Sequence, residues 1–133
     1  MARDALHMAR RARHRRYQTL VQRVVDTLPD HVQGLLDNVA IVVADEPSTD
    51  QLRAADGTSH DDLFGLYQGI PQTDRGSGYS MVLPDRITIF LGPLERACAS
   101  RADLEDEIRI TILHELGHHL GLDEAGLEAL GLA

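Results

Sequence analysis

The closing stretch ILHELGHHLGLDEAGLEALGLA, residues 112–133, decides how this chain is read. Inside it stands H-E-L-G-H, with His114, Glu115 and His118. On an α-helix each residue advances about 100°. With His114 at 0°, His118 falls near 40°, one turn further along the same face, where both imidazoles can converge on one metal ion. Glu115 falls near 100°, beside that ion, where its carboxylate can take a proton from an attacking water and deliver it to a leaving group. Leu113, Leu116 and Leu120 lie near 200–260° by the same rule. They are expected to anchor the helix against a sheet, and Gly117 leaves room for a backbone or a substrate to approach.

A catalytic zinc usually takes three protein ligands. Fifteen residues, 119–133, follow His118, too few for a ligand from a distant later helix. The downstream candidates are His119, Asp123, Glu124 and Glu128. His119 points near 140° on the same wheel and reads as a core or surface histidine. Glu128 lies far along a closing helix. Gly121, three residues after His118, can end the helix and swing the chain back. Glu124 stands where the extended motif H-E-x-x-H-x-x-G-x-x-(H/D) places its third ligand, with Asp123 the alternative.

Working backwards, Ser100 or Asp103 can cap a helix running from about residue 103 to 120, with Glu105, Asp106 and Glu107 in its first turn. RITIFLG, residues 86–92, is the clearest strand. NVAIVVAD (38–45) reads as a buried strand and LFGLY (63–67) as another. Residues 46–62 read as a loop, and PLERACA (93–99) as a short helix starting at its proline. Tyr17, Leu20, Val21, Val24, Val25 and Leu28 recur at helical spacing, which predicts a first amphipathic helix ending near Leu28. A short closing helix is expected near residues 125–130. The order helix, strand, strand, strand, helix gives an α+β class, a small mixed sheet packed on the motif-bearing helix with an N-terminal helix beside it. The 133 residues suit a single domain, with 1–16 a frayed Arg-rich arm.

Apolar residues make up 43% and charged residues 26%, ordinary values for a globular chain. With three Tyr, two Phe and no Trp, the core must be mostly aliphatic. No apolar run approaches the roughly 20 residues of a membrane span, and the Arg-rich start has no apolar stretch behind it, so neither a membrane nor a secretory route is expected. The lone Cys98 excludes an internal disulfide and fits a cytoplasmic setting, as a small filler. The net charge of −8 hides an asymmetry: residues 1–23 carry seven Arg and Asp4 (+6), and the rest carry six Arg and twenty acids (−14). The arm invites an acidic partner, but nothing aromatic interleaves it and the body repels phosphate, which disfavours nucleic acid.

Beyond HELGHHLG, the stretches LFGLYQGIP (63–71) and VLPDRITIF (82–90) resemble the bacterial minimal zincin family of metallopeptidases. The resemblance covers roughly residues 35–133. It implies a zincin-like fold and one Zn²⁺ per chain held by His114 and His118. It implies Glu115 as the catalytic carboxylate and a third ligand at the Glu124 position, where related sequences usually carry Asp. It also implies a peptide or protein substrate bound by addition to an edge strand, here RITIF or residues 78–83. GIPQTDRGSGYS, residues 69–80, is expected as a lip of the cleft, in which Tyr79 reads as a loop or packing residue ahead of an oxyanion donor. Asp85 and Arg86 read as support for the site or as an ion pair. The leading function is hydrolysis of peptide bonds by a metal-activated water with Glu115 as general base. The alternatives are a non-catalytic module keeping the zincin fold and, behind it, a metal-dependent endoribonuclease. Motifs of that last kind end in a third His and lack the glutamate after the first.

Overall fold

The computed structural model describes residues 2–69, 84–129 and 131. Helix α1 (Ala2–Asp26) leads, followed by α2 (Asp30–Leu35), β1 (Val39–Ala44), α3 (Thr49–Ala54), a 3₁₀ turn (His60–Asp62) and β2 (Gly65–Gln68). Then come β3 (Asp85–Phe90), α4 (Leu91–Ala97), α5 (Arg101–His119) and α6 (Glu124–Ala129). The sheet is mixed, in the order β1-β3-β2. β3 runs parallel to β1, with Ile87 opposite Ile41, and antiparallel to β2, with Ile87 opposite Tyr67. This is the expected α+β architecture, with the sheet laid on the long C-terminal helix.

Alternation along β3 builds two cores. Ile87 and Ile89 point one way and are fully buried with Leu20, Val21 and Val24 of α1 and Ile108, Ile112 and Leu116 of α5. Phe90 points the other way, onto Leu63 and Leu66, with Leu52 and Ala55 packed beside them. The α5 residues recur at i, i+4 and i+8, so the helix turns one apolar stripe to the sheet. At about 25 cal/mol per Å² of apolar surface removed from water, that stripe is the main force holding α5 in place.

Several expectations need correction. RITIF is the central strand, paired on both sides, so it has no free edge; among the described residues β1 and β2 flank it. β1 is accordingly only half buried along its length, and Gln18 of α1 donates to its Ile41 carbonyl at 2.7 Å. The 46–62 stretch is not all loop. Ser48 caps α3 with a full capping box, its side chain accepting from Gln51 N–H while the Gln51 side chain accepts from Ser48 N–H. The helix expected at Pro93 begins two residues earlier, at Leu91, directly from β3. Leu120 does not join Leu113 and Leu116 in the core; it is 41% exposed, because the helix has already ended. The Arg-rich segment forms the first turns of α1. Its Arg10, Arg13 and His14 reach Asp45, and Arg13 also pairs with Glu95. Residues 70–80 of the expected 69–80 lip, Tyr79 among them, and strand candidate 78–83 lie outside the described residues.

Candidate metal and catalytic site

Helix α5 starts at Ser100, whose hydroxyl accepts from Asp103 N–H at 3.1 Å, one of the two caps expected. It ends in a paired-carbonyl stop. Leu122 N–H donates to the Gly117 carbonyl and Gly121 N–H to that of His118, each at 3.0 Å. Gly121 takes φ +73°, the left-handed conformation that this stop requires and that a side chain resists. The chain then turns back into α6. Leu127 of α6 packs where a Cβ on Gly117 would stand, 1.9 Å from Leu127 Cδ2. Gly117 therefore admits α6, and not a substrate.

The solvent side of the same helix carries the site. His114, Glu115 and His118 each offer a ligand atom, and these atoms lie within 4.8 Å of one another. The two imidazoles stand 4.1 Å apart, centroid to centroid, tilted by 60°. They are exposed, whereas the Glu115 side chain retains only 16% exposure. Two imidazoles beside a carboxylate suit a borderline divalent cation such as Zn²⁺ better than Ca²⁺ or Mg²⁺, which prefer all-oxygen sets. The donors present therefore fit the metal that the motif implies. Asp123 and Glu124 stand outside this close group. Asp123 caps α6, its Oδ1 accepting Gly126 N–H at 2.8 Å. Glu124 is the first residue of α6 and is exposed.

A groove of about 580 Å³ opens in front of the triplet. Its walls include residues 63–66, leading into β2, and Ile110 and Thr111 of α5. Phe90 N–H donates to the Phe64 carbonyl at 2.9 Å, so residue 64 bonds inward to β3. By antiparallel alternation the backbone groups of Gly65 and Tyr67 then point outward. Gly65 must be a glycine, because a Cβ there would stand 2.5 Å from Thr111 Cγ2 and 3.2 Å from the Thr88 carbonyl. β2 thus lies tight against α5.

Tyr67 N–H donates to Glu115 Oε1 at 3.0 Å. The Tyr67 ring stacks on His119 at 3.9 Å and 12°, and its hydroxyl donates to Asp85 Oδ2 at 2.8 Å. Burial first, and then the bond and charge of Asp85, push the Tyr67 phenol up to about 12. It stays a donor through the physiological range. His119, read from the sequence as a bystander, is therefore engaged beside the site; its spacing four residues after Glu115 was the available signal. Cys98 behaves as the expected filler: partly buried, packed against the core, its thiol pushed up by burial and then by Glu107 and Asp103.

The model of the zincin-like metallopeptidase family matches residues 36–132. None of the curated protein sequences matches the chain. The solved structure of a conserved hypothetical protein from Thermo thermophilus is similar in fold, with a TM-score of 0.50 at 21% identity over 81% of this chain and 94% of that one. The family match leaves α1 and α2 outside it and takes in β1, β2, β3, α5 and α6. The chain belongs to the zincin-like metallopeptidase family.

Proposed function

We propose that this protein is a zinc-dependent peptidase that hydrolyses peptide bonds in the groove between β2 and α5. The observation that carries the reading is the juxtaposition of His114, Glu115 and His118 at the mouth of a groove walled by β2, the outer strand of the sheet among the described residues. His114 and His118 would hold the ion, with Glu124 as third ligand and Asp123 the alternative. Asp123 already commits one oxygen to the α6 cap, which supports Glu124. Bound there, Zn²⁺ supplies Lewis acidity that polarises a carbonyl and acidifies water. Glu115 then does the proton work, accepting from the attacking water and donating to the departing amine. An extended peptide pairs with the outward backbone of β2 at Gly65, which sets its carbonyl beside the triplet. No described helix is long and apolar enough to cross a membrane, and a cytoplasmic peptide or protein is the substrate class proposed.

The test is the metal content of the purified protein, by elemental mass spectrometry, for wild type, His118→Ala and Glu124→Ala. One zinc per wild-type chain, lost in both variants, together with cleavage in a peptide-library screen, supports the reading. A wild type that takes up no zinc at neutral pH sinks it and leaves a non-catalytic zincin scaffold.

A further inference from the structure

The Glu115 carboxylate is held unequally at its two oxygens. Oε1 accepts the Tyr67 N–H at 3.0 Å, while Oε2 lies 4.0 Å from His118 Nδ1. One oxygen is tied to the strand; the other faces the imidazoles. The tyrosine that ties it is itself fixed at two further points, its ring on His119 and its hydroxyl on Asp85. His119 Nε2 lies 3.8 Å from the same Asp85 oxygen. The three side chains close a cluster that joins β2, the first residue of β3 and the last residue of α5.

The sequence makes this division possible. H-E-L-G-H-H contains two i, i+4 pairs. His114 and His118 form one stripe of the helix, and Glu115 and His119 form the next, about 100° round. The first stripe faces the metal position. The second faces Tyr67, where Glu115 meets its backbone and His119 meets its ring.

We propose that Tyr67 is a positioning residue for Glu115: the clamp of His119 and Asp85 fixes β2 at the spacing where the Tyr67 N–H sets the rotation of the carboxylate. A backbone donor in a paired strand cannot rotate away, so it orients the free oxygen better than a side chain does. The catalytic part of this inference rests on Glu115 carrying the proton.

Two readouts separate the clamp from the activity. In metal-free protein, the amide resonance of residue 67 in ¹H–¹⁵N spectra should move upfield in Glu115→Ala, and partly so in His119→Ala. In zinc-loaded protein, His119→Ala should lower kcat about tenfold to a hundredfold, the cost of misplacing a reacting group by about an ångström, with KM and zinc content unchanged. Tyr67→Phe, which keeps the stack and loses the Asp85 bond, should fall between. A residue-67 amide indifferent to Glu115→Ala overturns the proposal. So does unchanged kcat in His119→Ala, and so does loss of zinc in that variant, which would make His119 a ligand. If the wild type cleaves no peptide, the peptidase reading fails and the amide shift alone decides the clamp.

Discussion

Two carboxylates in this molecule are held in opposite ways. Asp45, just after β1, is surrounded by basic side chains of α1: His14 Nε2 at 3.0 Å, Arg13 at 3.5 Å and Arg10 at 3.6 Å. The bond from His14 is the largest influence holding its carboxyl below the ordinary value, ahead of the charges of His14, Arg13 and Arg10. Glu115 is held by one neutral backbone N–H, and no Arg pairs with it among the described residues. Charge neutralisation makes a carboxylate a good strut and a poor base, because the proton must compete with fixed cations. A neutral amide orients the group without setting a cation beside it. The molecule uses the first device to dock a helix; in the peptidase proposed above, the second prepares a reagent.

The contrast can be broken from either side. The largest effect is expected from Glu115→Gln, which keeps shape and removes the base: peptide cleavage should fall by a factor of about 10²–10⁴, with zinc content and melting temperature preserved. Equal losses of zinc and activity would instead make Glu115 a ligand. Gly65→Ala attacks the spacing that brings Tyr67 to Glu115. The new methyl meets Thr111 Cγ2, and overpacking of this kind costs about 1–3 kcal/mol. Thr111→Ser removes that methyl and should restore part of the loss in chemical denaturation; no recovery would place the strain at the Thr88 carbonyl instead.

Asp45→Asn is expected to be milder. Its ion pairs are half exposed, so stability should drop by no more than about 1 kcal/mol, and cleavage should be unaffected. A change in kcat would show that α1 reaches the site. The smallest effect is the pH dependence of that difference. The folded Asp45 carboxyl lies below its ordinary 3.8, so its contribution is complete above 3.8 and fades as pH falls through the lower folded value. Denaturation curves of wild type and Asp45→Asn should therefore converge below pH 3.8 and stay apart above it.

What the sequence revealed follows the range of the interactions. The two imidazoles, the Ser100 cap and the Gly121 stop depend on neighbours within one or two turns, and spacing alone exposes them. The strand RITIF was visible as a strand, but its central place was not, because sheet order depends on partners from residues 39–44 and 65–68. The Tyr67–Glu115 bond spans 48 positions, and nothing local to either residue announces it. Helix α3 is a different case. Its S-x-x-Q signature at Ser48 and Gln51 stood in plain view but was outweighed by the polar, turn-forming residues around it. The smallness of Gly117 marks a point of close approach, but the size of a residue does not say what packs against it, and the neighbour is the Leu127 side chain.

The seat of Leu127 against Gly117 has a consequence for how the protein is loaded. Leu127 is the one buried residue of α6 among those described, so the hold of this helix on the body is slight. If Glu124 supplies the third ligand, ion uptake and α6 docking become a single linked equilibrium. Each added decade of free ion above its dissociation constant then deepens the docked state by about 1.4 kcal/mol. Proteolytic sensitivity of the last turn would serve as a titration curve for zinc, and a cell short of zinc would hold this protein with its tail undone.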